Sequence, residues 1–167
     1  MTAWVGRYFE DFAPGEQIDH GWARSVTEND NHQFTLLTGN SNMTHLNNVV
    51  AENTEFGQLL VNSTFTLALV SGISVRDVSE NAYANLGWES IEILGPVFVG
   101  DTIFATTEVL SCRESTSRPT TGIVRVRTTG YKQDGSPVME FVRAVLVYKR
   151  GHGPREAWPR LVRTASV

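Results

Sequence analysis

The apolar positions change their spacing midway along the chain. In "NSTFTLALVSGISVRDVS", Phe65, Leu69 and Ile73 recur at i, i+4 and i+8, while Leu67, Ala68 and Val70 fill other faces. A helix apolar nearly all round is a buried one. This one spans about 16 residues, or roughly 24 Å, and Asn62 or Ser63 can cap it. Further on, the period shortens to that of strands. "LGWESIEIL" stops at Gly95-Pro96, "VFVGDTIFATTEVLSCRES" contains a Gly100-Asp101 turn, and "GIVRVRTTGYKQDGSPVMEFVRAVLVYKR" is two strands around Asp134-Gly135, a strong hairpin signal. Val142, Ala144, Leu146 and Tyr148 alternate, and Val145 and Val147 make the opposite face apolar as well. That strand is expected to be buried on both sides.

The first third is less regular. Pro14-Gly15 reads as a turn, and residues 18–26 as a strand. Thr27 and Asn29 are candidate N-caps of a short helix whose apolar side is Phe34, Leu36 and Leu37 and which Gly39 ends. "NNVVAENTEFG" is a second short helix, stopped near Gly57. The order is therefore strand, short helices, one long buried helix, and about four long antiparallel strands. An antiparallel sheet wrapped around a single apolar helix, the α+β hotdog arrangement, fits this order better than a generic α+β sandwich. Residues 1–150 read as one domain. Residues 151–167, with Pro154 and Pro159, read as a loosely ordered tail.

Composition narrows the class. The chain has 167 residues, 41% hydrophobic and 19% charged, as expected of one globular domain. Its net charge of −4 offers no general attraction to nucleic acid or to an anionic membrane. The longest apolar stretch, Phe65 to Val75, is interrupted by Thr66, Ser71, Gly72 and Ser74 and is too short to span a bilayer. Cys112 is the single cysteine, so no intrachain disulfide forms. With a polar start that lacks a signal-peptide pattern, this points to a reducing cytoplasm.

The chemistry concentrates in "TGNSNMTHLNN", Thr38 to Asn48. No metal-ligand spacing and no phosphate loop fits it. His45 is the one histidine in a polar motif. His20 and His32 fall in ordinary strand and helix contexts, and His152 lies in the tail. Taken alone, His45 reads more readily as a loop histidine bonded to backbone than as a catalytic group. The start of the apolar helix, Asn62-Ser63-Thr64, offers amides that either serve as simple capping or bind an anion.

At this point the residues resemble a known family. "FTLLTGNSNMTHLN…FGQLLVNSTF…VSG" is similar to the hydratase motif of MaoC-like, R-specific enoyl-CoA hydratases, with Gly39, Asn42, His45, Phe56, Gly57, Ser71 and Gly72 matching. "GPVFVGDT" resembles that family's strand–turn signature. "ANLGW", "RESTSRP", "GIVRVRTTG" and "VLVYKR" resemble the branch that hydrates mesaconyl-CoA or itaconyl-CoA. The resemblance runs from about Tyr8 to Lys149. Three positions depart from the motif: the family's catalytic Asp falls on Asn40, its Pro on Met43, and its Ala-His-Gly on Val61-Asn62-Ser63.

The resemblance implies addition of water to a short enoyl-CoA, with His45 as general base and the Ser63 amide holding the thioester oxygen. No cofactor is implied beyond coenzyme A as part of the substrate, and no metal. Asn40 cannot exchange a proton, so it is expected to orient water while His45 carries the proton traffic. Losing the Asp also removes a negative charge, which suits a dicarboxylic acyl group. Asn42, Asn62, Thr64, Ser71 and Gly72 are expected to bind or position substrate, the Ser71 hydroxyl by orienting residue 40. Arg113 and Arg118 are expected to meet the coenzyme A diphosphate, with Arg125 and Arg127 on one strand face nearby. An open sheet edge implies a homodimer or higher homo-oligomer. Two other readings stay open: an acyl-CoA thioesterase using a water bound at Asn40, and a non-catalytic acyl-CoA-binding module.

Overall fold

The computed structural model describes residues 6–157, apart from the side chains of residues 155 and 156. Six strands form one antiparallel sheet: β1 (Gln17–Asp19), β2 (Arg24–Ser25), β3 (Ala82–Ile93), β4 (Thr102–Glu114), β5 (Thr121–Tyr131) and β6 (Pro137–Tyr148). Their spatial order is β1-β4-β5-β6-β3, with β2 also paired to β4. The sheet wraps the helix α3 (Ser63–Ser74), and two short helices, α1 (Glu28–Leu37) and α2 (Asn48–Glu52), precede it. This is the hotdog arrangement. The strand expected over 18–26 is broken into β1 and β2. The tail expectation falls mostly on residues 158–167, outside the described residues; Pro154–Ala157 form one 3-10 turn. Among the described residues no helix is long and apolar enough to cross a membrane.

Packing follows the pattern. Phe65, Leu69, Val70 and Ile73 of α3 are buried against Val97, Ile103, Val138 and Phe141. A second cluster, with Val78, Val109, Val124, Val126 and Val145, fills the space beyond the helix's C-terminal end. Gly130 lets α3 approach β5 closely, since a Cβ there would lie 2.5 Å from the Val70 side chain. Central strand β6 is buried on both faces, as its doubly apolar pattern requires.

Two expectations about helix faces change. α3 is not enclosed all round, because Thr64, Ala68, Gly72 and Val75 form an exposed line along it. It runs regularly for 12 residues and then widens into a π-turn, Val75–Ser79. The Trp22 indole N–H donates to the Ile73 carbonyl near this change, at 3.1 Å. On α1, Leu36 and Leu37 point outward, and the buried positions are Asn31 and Thr35. The inner face of α1 is a hydrogen-bonding face, for reasons that lie in the site.

β3 bonds to β6 on one side. Among the described residues no strand pairs with its other edge. Tyr83, Leu86, Trp88, Ile91 and Ile93 are exposed along it.

Candidate active site

α1 begins with a capping box, in which the Thr27 hydroxyl accepts from the Asp30 amide and the Asp30 carboxylate accepts from the Thr27 amide. It ends at Gly39, whose φ of +67° turns the chain back. The following loop is built by asparagines. The Asn40 side-chain oxygen accepts the Asn42 amide at 3.0 Å, and the Asn42 side-chain oxygen accepts the Thr44 amide at 3.1 Å. These successive Asx turns lead into a 3-10 turn, Met43–His45, that delivers His45 to the interior.

His45 is only 8% exposed. Its Nδ1 lies 2.8 Å from the Leu60 carbonyl. A carbonyl can only accept, so Nδ1 carries the proton and Nε2 is the basic nitrogen. Segment 60–62 is fixed in turn: the Leu60 amide donates to the Thr44 carbonyl at 3.2 Å, and the Val61 amide to the Val97 carbonyl at 2.9 Å. α3 starts at once after it.

Around His45 lies a pocket of about 430 Å³, within the usual range for small-molecule sites. Asn42, His45, Phe56, Ser63 and Thr66 line one side. Ile93 to Val97, with Val138 and Met139, line the other. The wall is mostly apolar, and among the described residues no Asp, Glu, Lys or Arg belongs to it. Its polar features are an imidazole, an asparagine, two hydroxyl residues and the first turn of a helix.

The expected site residues separate into groups. Asn42, His45 and Ser63 meet at this pocket. Asn40 shapes the loop leading to it and is not among the lining residues. Asn62 is the buried N-cap of α3; its oxygen accepts both the amide (3.0 Å) and the hydroxyl (2.6 Å) of Thr64, and its nitrogen donates to the Thr35 hydroxyl. The Thr64 amide is therefore already bonded, and of Asn62, Ser63 and Thr64 it is Ser63 that lines the pocket.

Ser71 and Gly72 lie two turns further along α3. Arg143 Nη1 donates to the Ser71 hydroxyl at 3.5 Å, so the expected contact between Ser71 and residue 40 gives way to one with the sheet. Arg113 and Arg118 sit at the opposite end of the sheet. β5 has 11 residues, so about 33 Å separates its two ends. The Arg118 guanidinium stacks on the Tyr83 ring, 4.3 Å from its centroid. Arg125 pairs with Glu89, and Arg127 with Glu108 and Glu140, on the outer face of the sheet.

Several buried polar residues escaped the sequence reading, Asn31, Thr35 and Arg143 among them. Asn31 and Thr35 are an i, i+4 polar pair in a helix with outward leucines, a signal in principle but one that mimics a solvated face. Arg143 looks like any strand cation. His20 is buried too, with Nδ1 3.0 Å from Asp77 Oδ2 and Nε2 2.8 Å from the Thr107 hydroxyl. That order of acid, imidazole and hydroxyl looks catalytic. However, Thr107 is fully buried and bonds onward to Thr128, so no substrate meets it. Burial lowers the His20 pKa, and Asp77 opposes the shift. Among the described residues no cluster of His, Cys, Asp and Glu has the make-up to hold a metal.

Known proteins resemble this chain in sequence and fold. The chain matches the MaoC like domain model over residues 10–132. It is 36% identical over 150 residues to a mesaconyl-CoA hydratase of Cereibacter sphaeroides, covering 90% of this chain and 43% of that protein. It is 29% identical over 146 residues to an (R)-specific enoyl-CoA hydratase of Rhodospirillum rubrum, covering 86% of this chain and 94% of that one. A putative MaoC domain protein dehydratase from Chloroflexus aurantiacus superposes with a TM-score of 0.81 at 28% identity, over 87% of this chain and 45% of that one. The chain thus spans under half the length of some of the curated relatives it matches and nearly all of another. By sequence over most of its length, and by fold, this chain belongs to the MaoC-like family.

Proposed function

We propose that this chain adds water reversibly to the 2,3 double bond of a short, branched or dicarboxylic enoyl-CoA of the mesaconyl or itaconyl type, with His45 as general base. One observation carries the reading. The bond from His45 Nδ1 to the Leu60 carbonyl orients the ring and makes Nε2 the basic nitrogen, beside a largely apolar pocket that the start of α3 also lines. In hydration, Nε2 takes a proton from water as its oxygen bonds to C3. The π electrons move toward the thioester oxygen, which the Ser63 amide and the helix N-terminus stabilise. The enolate then collapses, and the imidazolium returns a proton to C2. Asn42, on the pocket wall, is placed to hold the water, and Asn40 holds Asn42's loop.

The branched or dicarboxylic acyl group is supported by the similarity to a mesaconyl-CoA hydratase and by the absence of any acid from the pocket wall, which spares a second carboxylate from repulsion. A thioesterase would want a carboxylate or an amide-held water beside the thioester carbon; among the described residues that wall holds no carboxylate, and Asn40 is not part of it.

A second copy completes the molecule in this reading. The free edge of β3 is the surface for it, and two copies of one strand paired about a two-fold axis run antiparallel. Each pocket, at the C-terminal end of β3, then lies near the partner's N-terminal end of β3. The Arg118 cation stacked on Tyr83 comes to the neighbouring pocket in this way, and not to its own.

Crotonyl-CoA and mesaconyl-CoA test the activity. Loss of enoyl absorbance supports a hydratase, free thiol without it a thioesterase, and binding without either a carrier. Within the hydratase outcome, His45→Ala should lower turnover by about 100-fold or more. Near-normal turnover in that variant removes His45 from the mechanism.

A further inference from the structure

Asn31 lies on α1, 0% exposed, and both donors and one acceptor position of its side-chain amide are used on the site. Its nitrogen donates to the His45 carbonyl at 3.0 Å and to the Leu60 carbonyl at 3.3 Å. Its oxygen accepts the Asn62 amide at 2.9 Å. Two of these groups bracket the chemistry. Leu60 supplies the oxygen that fixes the His45 ring, and Asn62 is the residue before Ser63, whose amide is the oxyanion donor of the proposed hydration. The Leu60 carbonyl thus accepts from both the imidazole and Asn31.

From this geometry we infer that Asn31 is a positioning residue that sets the tautomer of His45 and its separation from the oxyanion amide; the kinetic consequence rests on the proposed hydration. Only an amide of this length has a double donor and an acceptor in the required places. Aspartate offers acceptors to two carbonyls, glutamine is one methylene too long, and serine is too short to reach both strands of the site. Replacing the amide by a methyl group leaves the His45 carbonyl and the Asn62 amide buried without partners. Water entering that gap competes for the Leu60 carbonyl and frees the imidazole to exchange tautomers.

The test has two independent arms. The first reads the ring nitrogens of His45 by 15N NMR at a pH where the imidazole is neutral, with signals assigned by their loss in His45→Gln. Wild type should show one tautomer, protonated on Nδ1, and Asn31→Ala a mixture. This arm needs no substrate, so it decides the inference even if the protein hydrates no enoyl-CoA and the functional proposal falls. The second arm is kinetic. With crotonyl-CoA, kcat should drop about 10- to 100-fold, as a small misplacement of a base costs, while KM stays within about threefold. Should Asn31→Ala not fold, Asn31→Ser serves in both arms. A residue that merely supports the fold would lower the melting temperature and leave the tautomer unchanged. A folded variant with His45 still wholly protonated on Nδ1 overturns the inference, whatever its stability.

Discussion

Arg143 projects from β6 into the interior, 4% exposed, and among the described residues no carboxylate pairs with it. Its Nη2 donates to the Ser74 hydroxyl at 2.9 Å; Ser71 and Ser79 lie at 3.5 Å; Nε has no acceptor. Burial pushes its pKa down from the ordinary arginine range to about 10. At about 1.4 kcal/mol per unit, keeping the charge folded costs roughly 3 kcal/mol. One good charge-assisted hydrogen bond returns about 1.5–3 kcal/mol. The Trp88 and Phe141 rings, 5.7 and 5.9 Å from the guanidinium carbon, add about 0.5–2 kcal/mol. The charge therefore roughly breaks even. Arg143→Met keeps the stem's packing and removes both sides of that balance. The Ser74 hydroxyl still donates to the Ser71 carbonyl at 2.7 Å. Urea unfolding at neutral pH should place Arg143→Met within about 1 kcal/mol of wild type at unchanged m. Arg143→Ala, which also leaves a cavity, should lose about 2–5 kcal/mol. A loss above about 3 kcal/mol in Arg143→Met would refute the balance and indicate that the guanidinium meets a counter-charge outside the described chain, since breaking a buried ion pair costs that much.

Three further outcomes follow. His20 faces Asp77, Asp19 and Arg143, and burial sets its folded pKa below the ordinary histidine value of about 6.5. The unfolded chain therefore binds the proton first, and stability falls as pH drops below about 6.5 until the folded group also protonates; unfolding at pH 7.5 and 5.5 should show a steeper loss in wild type than in His20→Gln, and equal slopes would remove His20 from the account. Ile91→Lys places a charge on the open β3 edge and should convert a dimer to monomer in sedimentation, with activity falling in parallel; a wild-type monomer that is fully active would exclude pairing through that edge. Asn40→Asp keeps the turn, because a carboxylate oxygen also accepts the Asn42 amide, but adds a charge near the loop; the acid limb of the pH–rate profile should move to higher pH and mesaconyl-CoA should suffer more than crotonyl-CoA, whereas no change in either would show that residue 40 faces away from the reacting atoms.

The parts legible in the sequence are those where one physical demand acts alone. The strands of the sheet and the doubly apolar β6 obey burial, and burial has a period. α1 shows where this reading stops. Its leucines suggested the inner face, yet Leu36 and Leu37 are exposed and Asn31 and Thr35 are buried. That helix docks through hydrogen bonds to a backbone segment about 30 residues away, and hydrophobic periodicity carries no record of a polar dock. The arginines lie away from their own pocket for a different reason. Arg113, Arg118, Arg125 and Arg127 are close in sequence because they lie on a hairpin, and the hairpin puts its turn at the end of the sheet remote from the pocket. The far pocket wall, Ile93 to Val97 with Val138 and Met139, comes from segments that antiparallel register brings together, and no local pattern announces it.

The asparagines explain how a site can keep one titratable group. Asn31, Asn40, Asn42 and Asn62 bond chiefly to backbone or to neutral side chains, and together they fix a histidine loop against a helix start. An aspartate in any of these places would supply acceptors just as well, but it would bring a charge into a pocket whose wall has none. Amides give the same directional bonds without that field. They also supply donors, which the carbonyls of His45 and Leu60 require and a carboxylate lacks. The cost is chemical: an amide neither gives nor takes a proton at neutral pH. In the hydration proposed, the proton removed from water and the proton delivered to C2 then both pass through Nε2 of His45. That couples the two halves of the addition to one atom on one side of the substrate, and it makes the orientation of that ring, set by Leu60 and Asn31, the quantity the surrounding fold has to hold.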